Sequence, residues 1–213
     1  MLSVLIANPK GGCGKTTIAT NLAAAFAHMG FVTALADCDR QKSACRWVAR
    51  RPTGVPEVTG LDWTKEVAGV PDGVERLVID APAAIRRRDV RELIAEADII
   101  VVPILPSPFD ETTSRRFLAV LDKLKPIRKN KRAVAIVGNR VRVRTAAAGQ
   151  LDEFLATLRH DVVTRLRDTQ AYPTTAAAGT SVFDMTARRI EPLIAEWQPL
   201  LRFIVDQARG RAQ

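Results

Sequence analysis

Residues 10–17 read K-G-G-C-G-K-T-T, and they lie between an apolar run, Leu2 to Ala7, and an alanine-rich helical stretch, Ile18 to Met29. A glycine-rich turn that leaves a buried strand and opens a helix is a phosphate-binding loop, and it commits the chain to an α/β architecture. Gly11, Gly12 and Gly14 let the backbone curl until successive N–H groups face phosphate oxygens. The helix that follows adds its partly positive N-terminus. In such a loop Lys15 reaches the β- and γ-phosphates, Thr16 ligates Mg²⁺, and Thr17 sits one position further on, near the α-phosphate. Cys13 fills the variable position. A second lysine, Lys10, precedes Lys15 by five residues, where it can project away from its own nucleotide.

Alternation of apolar runs with helical patterns continues along the chain. Strands are predicted at 2–7, 32–37, 75–80, 98–104 and 133–138, with a weaker one at 162–166. Helices are predicted at 15–29, 41–51, 88–96, 110–125, 149–159 and 187–208, with a short one near 170–178. The fold class is therefore α/β: a single-domain P-loop fold over residues 1–213, with a mostly parallel twisted sheet and helices on both faces. The stretch Pro52–Gly73, broken by prolines at 52, 56 and 71, reads as an irregular excursion.

The 213 residues are enough for one substantial core, since chains of this size bury roughly 70% of their unfolded surface. No apolar run approaches the roughly 20 residues of a membrane span, and the N-terminus shows no signal-peptide pattern. Three cysteines, at 13, 38 and 45, form neither CxxC nor a metal spacing, which fits a cytoplasmic protein. Net charge is +9. Nine basic residues (Lys123, Lys125, Arg128, Lys129, Lys131, Arg132, Arg140, Arg142, Arg144) and no acidic one lie between 123 and 144, a surplus equal to that of the whole chain. A second cluster is Arg86-Arg87-Arg88. Such clustering favours a polyanionic partner such as nucleic acid or an anionic membrane, with solvated helix ends and loops as the alternative.

Two further segments carry chemistry. Asp37-Cys38-Asp39 closes the second predicted strand, and Asp80 closes the third, E-R-L-V-I-D, in a Walker-B-like manner. Ligands collect at the carboxyl ends of strands in an open parallel sheet, so these carboxylates should face the phosphate loop. One of the Asp37/Asp39 pair would orient a hydrolytic water and the other hold a water on Mg²⁺.

Together K-G-G-C-G-K-T-T, D-C-D-R-Q and L-V-I-D-A-P resemble the deviant Walker A ATPases of the ParA/MinD family. The likeness extends through V-P-I-L-P-S-P-F-D at 102–110, G-N-R-V at 138–141 and R-D-T-Q-A-Y-P-T-T-A-A-A-G-T-S-V-F-D at 167–184. It fits the short ParA type, with no N-terminal DNA-reading domain ahead of the first strand. The resemblance implies an ATP- and Mg²⁺-dependent homodimer in which Lys10 reaches the partner's nucleotide, and slow ATP hydrolysis that an adaptor protein stimulates. It assigns Lys10, Lys15 and Asp39 to catalysis, Thr16, Asp39 and Asp80 to the metal side, and Asn139, after the fifth strand, to adenine. Pro106 falls at the dimer interface. Nonspecific DNA binding, nucleoid association and cargo positioning follow from it, with Arg140, Arg142, Arg144, Arg188 and Arg189 as the DNA-facing candidates. One departure stands out: Arg40 occupies a position where the family usually has proline, which bears on the rigidity of the Asp39 loop.

A MinD-like alternative would place a C-terminal amphipathic helix on a membrane, using Trp197, Leu200, Leu201 and Ile204; no stable membrane association is expected. A small-molecule ATP-dependent ligase is a further alternative. Cys13 is read as a small side chain that fits its loop, with a low-pKa redox thiol as the competing possibility.

Overall fold

The computed structural model describes residues 1–83, 87–186 and 190–211. In chain order it contains β1 (Leu2–Ile6), α1 (Lys15–His28), β2 (Thr33–Asp37), α2 (Ser43–Ala49), β3 (Thr59–Asp62), β4 (Arg76–Asp80), α3 (Arg87–Glu96) and β5 (Ile99–Ile104). Then follow α4 (Pro108–Leu121), α5 (Lys125–Arg128), β6 (Ala133–Val141), α6 (Ala146–Ala156), β7 (Asp161–Arg167), α7 (Ala171–Ala177), a 3₁₀ turn (Val182–Asp184) and α8 (Glu191–Arg211). The strands form one sheet in the order β3-β2-β4-β1-β5-β6-β7, and every pairing is parallel.

Parallel strands covered on both faces are hydrophobic at every position rather than at alternate ones. L-S-V-L-I, T-A-L-A-D and I-I-V-V-P-I are buried throughout. The phosphate-loop strand β1 lies at the centre, between β4 and β5. The chain runs outward to β2 on one side of β1, and crosses back to β5 on the other, so a crevice opens at the carboxyl ends beside β1.

The sequence missed β3. Its T-G-L-D is almost wholly exposed at the sheet edge and shows no apolar signal; pairing with β2 makes it a strand. Gly60 permits that edge to approach α2, since a Cβ there would come within 3.2 Å of the Val48 side chain. The predicted 110–125 helix is two helices, because Pro126 and the turn at 122–124 interrupt it.

The stripe considered for membrane contact is core. Trp197, Leu200, Leu201 and Ile204 of α8 are all buried, packed with Val182, Tyr172 and α1 residues such as Leu22 and Phe26. The Trp197 indole N–H donates to the Tyr172 hydroxyl at 3.1 Å, and Phe183 meets its ring edge-on at 5.8 Å. This helix face is not available to a bilayer. Among the described residues no helix is long and apolar enough to cross a membrane.

A buried polar knot secures the far end of α1. The Asp184 carboxylate accepts from both Arg51 terminal nitrogens at 3.1 Å, pairs with His28 at 2.7 Å, and accepts from the Ser181 N–H and hydroxyl. Burial works to raise its pKa, but the donors from Arg51, His28 and Ser181 outweigh it and hold the carboxyl below its ordinary value.

Candidate nucleotide site

The loop after β1 is shaped by two left-handed glycines, Gly12 (φ 75°) and Gly14 (φ 90°). At Gly14 a side chain is impossible for a second reason. An added Cβ would lie 2.2 Å from the Asn139 amide nitrogen, which donates to the Cys13 carbonyl at 2.8 Å. Around Gly11 and Gly12 there is open space instead. Asn8 anchors the entry to the loop. Its amide donates to the Pro103 carbonyl and the Ser114 hydroxyl, at 2.8 and 3.0 Å, and its oxygen accepts from the Lys10 N–H. Asn8 is a structural determinant of the site that the sequence did not single out; only its place between strand and loop hinted at it.

A cavity of about 510 Å³ opens over this loop. Gly11, Gly12, Gly14, Lys15, Thr16 and Thr17 form its floor, and Asp39 and Gln41 one wall. The buried Lys15 ammonium is turned inward on the Lys10 carbonyl, at 3.2 Å. The two lysines therefore point to different places. Lys10 is absent from the cavity lining; its ammonium instead lies 3.9 Å from Asp110 near the start of α4. Pro106 belongs to the β5–α4 turn that leads into that acid.

The three carboxylates divide their work. Asp37 is fully buried, and its two oxygens accept from the Asp39 and Cys45 N–H groups, so it organises the loop after β2 rather than facing the cavity. Asp39 lines the cavity. Its oxygens accept from the Gln41 N–H at 2.9 Å and the Ala83 N–H at 2.9 Å, tying the β2 and β4 loops together. Neither bond requires proline at position 40, and Arg40 is exposed. Asp80 accepts from the Thr16 hydroxyl at 2.6 Å, while its other oxygen is buried without a hydrogen-bond partner. Burial pushes the Asp80 carboxyl up to about 7, against the effect of the Thr16 hydrogen bond.

A hydroxyl beside an orphaned carboxylate oxygen suits Mg²⁺, which takes few protein oxygens and completes its shell with water and phosphate. Among the described residues no three His, Cys, Asp or Glu side chains converge as a cation cage. The residues present fit a phosphate-bound Mg²⁺ at Thr16, with Asp80 behind it.

The structure adds surroundings to several of the expected site residues. Asn139 lies within the sixth strand, β6, rather than beyond it, and its amide nitrogen donates one hydrogen bond to the Cys13 carbonyl. It still borders the cavity, so it shapes the loop and closes one side. Cys13 is buried, and burial raises its pKa despite the neighbouring Lys15, which removes the low-pKa redox thiol. Finally, Arg140 and Arg142 are surface cations, with side chains 58% and 75% exposed, that share one carboxylate. Asp168 accepts from Arg140 Nε at 3.4 Å and Arg142 Nε at 2.8 Å, and both Arg140 and Asp168 line the cavity with Thr169, Gln170, Tyr172 and Pro173. Arg144 is exposed, with a left-handed backbone (φ 64°). Arg188 and Arg189, and the Arg86–Arg88 side chains, lie outside the described residues.

Arg140 therefore belongs to the rim of the nucleotide site. Arg140→Glu is expected to weaken nucleotide binding of order tenfold, or ~1.4 kcal/mol, in a fluorescent-nucleotide titration. Unchanged affinity would return Arg140 to the outer surface.

This geometry defines a P-loop nucleotide-binding protein. The chain belongs to the CobQ/CobB/MinD/ParA nucleotide binding domain family, whose model matches residues 4–182. Among curated relatives it is 30% identical over 193 residues to the maintenance of carboxysome distribution protein A of Halothiobacillus neapolitanus, covering 87% of this chain and 88% of that one. It is 27% identical over 139 residues to the protein ParA of Rhizobium radiobacter, covering 63% of this chain and 62% of the relative. Of solved structures, apo McdA from Cyanothece superposes with a TM-score of 0.73 at 15% identity, covering 94% of this chain and 99% of that one. MinD from Pyrococcus horikoshii, complexed with Mg-ADP, gives 0.68 at 16% identity over 100% of this chain and 98% of the other. These last two likenesses concern the fold.

Proposed function

We propose that this protein is an ATP- and Mg²⁺-dependent dimerising ATPase that binds DNA nonspecifically and positions a cargo, a plasmid or a protein assembly. An adaptor protein stimulates its slow hydrolysis and thereby releases it from DNA. The observation that carries the reading is the division of the two lysines. Lys15 is buried in the floor of the nucleotide cavity, whereas Lys10 leaves the same loop, misses that cavity and stays partly exposed at the carboxyl-end face. A lysine so placed can complete the nucleotide site of a second copy.

Two features of the same face support closure of one copy on another. Phe109 is 81% exposed beside Asp110, and Val143 is 76% exposed in the β6–α6 loop. Large apolar side chains this exposed gain by burial in an interface. ATP shifts the monomer–dimer balance only by binding the closed state more tightly. In this reading the γ-phosphate, held by Lys15 from one side and the partner's Lys10 from the other, is the source of that difference. Bound Mg²⁺ would supply polarisation of the γ-phosphate; Thr16 and Asp80 would hold the metal side, and Asp39 would orient the water.

Kinship with carboxysome-distribution and partition proteins supports the cargo-positioning role, which rests on family resemblance rather than on a site. Lys10→Ala is expected to keep nucleotide binding within a fewfold while abolishing ATP-dependent dimerisation. Light scattering with and without ATP reads the result, and a normal ATP-induced dimer in the variant would overturn the two-lysine mechanism.

A further inference from the structure

The basic stretch that is continuous in sequence is cut in two by the fold. Strand β6 spans Ala133–Val141 and is buried nearly throughout, so the residues before it and after it emerge at opposite ends of the sheet, roughly 26 Å apart for eight steps of about 3.3 Å. Arg140, Arg142 and Arg144 stand at the nucleotide end. The preceding cations stand at the other end. Chain direction fixes this: α4 starts after the carboxyl end of β5 and returns to the amino end, where β6 begins in register with Ile99.

At that amino-terminal edge Lys123, Lys125, Arg128, Lys129 and Lys131 are all exposed, and Arg159 is exposed in the neighbouring α6–β7 connection. Two acids near this edge have partners of their own. Asp122 pairs with His160 at 2.8 Å, and Asp98 with Arg132 at 3.6 Å and with Ser3. Asp161 is exposed at the start of β7, at the margin of the patch. The loop has defined geometry as well as charge: Asn130 takes a left-handed conformation (φ 52°), and the Lys131 N–H closes on the Pro126 carbonyl at 2.8 Å. The segment thus holds its cations on a compact turn rather than on a loose tail.

We infer that the α4–α5–β6 edge, through Lys123, Lys125, Arg128 and Lys129, is the surface that contacts the phosphate backbone of double-stranded DNA. This rests on the DNA-binding reading above and replaces the arginines at 140 and 142 as its main contacts. Those two share the Asp168 carboxylate, and Arg140 lines the nucleotide cavity, whereas the edge gathers several exposed cations away from the catalytic end. Placing DNA there leaves the face bearing Lys10 and Phe109 open for a second copy. The readout is backbone charge, because the patch presents a cluster of exposed cations and, apart from Asn130, no side chain suited to reading base edges; sequence preference should be absent.

The test uses the full chain with ATP and a short random-sequence duplex, followed by fluorescence anisotropy over a salt series. The variants are a triple Lys125→Gln, Arg128→Gln, Lys129→Gln and a double Arg142→Gln, Arg144→Gln, which leaves the cavity-lining Arg140 in place. Three lost phosphate contacts should lower the slope of log affinity against log salt by roughly 3, with at least a tenfold loss at low salt in the triple. ATP-induced dimerisation in the triple should be unchanged. Wild-type binding that survives intact in the triple and falls in the double overturns the edge assignment and leaves the DNA-binding reading standing. A wild type that binds ATP and dimerises but never retains the duplex overturns both. Patch-dependent binding to vesicles containing anionic lipid, with none to the duplex, overturns DNA as the occupant.

Discussion

Asp39→Ala is expected to bind nucleotide and dimerise normally while hydrolysing ATP roughly 10²–10⁴-fold more slowly, the range typical of a removed proton-handling or water-orienting group. The expectation comes from what holds the side chain. Both oxygens of Asp39 are aimed by backbone N–H donors, from Gln41 and from Ala83, so the carboxylate sits fixed in the cavity wall. Its neighbour Asp37 has the same chemistry but faces inward, where it braces Asp39 and the start of α2. Asp37→Ala should therefore lower folding stability and nucleotide affinity together, whereas Asp39→Ala should separate binding from turnover. Single-turnover hydrolysis beside a nucleotide titration distinguishes them. An Asp39→Ala rate within threefold of wild type would remove Asp39 from the hydrolytic machinery. The same assay settles the departure at position 40: since neither donor to Asp39 depends on residue 40, Arg40→Pro should alter the rate by less than about threefold, a shift worth under ~1 kcal/mol.

The second large effect is on stability. Asp184→Ala removes the carboxylate partner of Arg51, whose side chain is only 6% exposed and would keep only the Pro56 and Gly179 carbonyls; a buried charge left without its counter-ion typically costs ~3–5 kcal/mol. Urea unfolding should show a lower midpoint with an unchanged slope; a loss below ~1 kcal/mol would mean that the Pro56 and Gly179 carbonyls suffice for Arg51. The pH dependence has a definite sign. The folded pKa of Asp184 lies below its ordinary value, so its contribution is fully present above the unfolded carboxylate pKa of ~3.9. It fades as pH falls through that value and on through the lower folded one. The gap between wild type and Asp184→Ala should accordingly close in acid and stay wide at neutral pH.

Much of the fold was legible because buried parallel strands announce themselves. Leu2–Ile6, Thr33–Asp37 and Ile99–Ile104 are apolar without alternation, and each was anticipated to within a residue or so. Edge strand β3 was not legible, since an exposed T-G-L-D is a strand only by virtue of its pairing with β2. The C-terminal helix illustrates the intermediate case. Its apolar spacing was plain, but the same stripe serves a membrane-lying helix or a packed one; contact with α1 and Tyr172 decides for packing.

The phosphate loop, its following helix and the strand-end aspartates are properties of the sequence itself. Their chemistry depends on local backbone conformation, which glycine positions and apolar runs dictate over a few residues. What depends on distance in space had to wait for tertiary structure. The Arg51–Asp184 pair joins residues 133 apart in sequence, and no local rule pairs them. The two lysines of one loop differ because one is buried over the nucleotide floor while the other faces Asp110, about 100 positions downstream. The basic run of residues 123–144 looked like one patch because sequence counts charges along the chain. A buried strand separates them by its own length, and Coulomb's law, screened over ~10 Å, counts them in space.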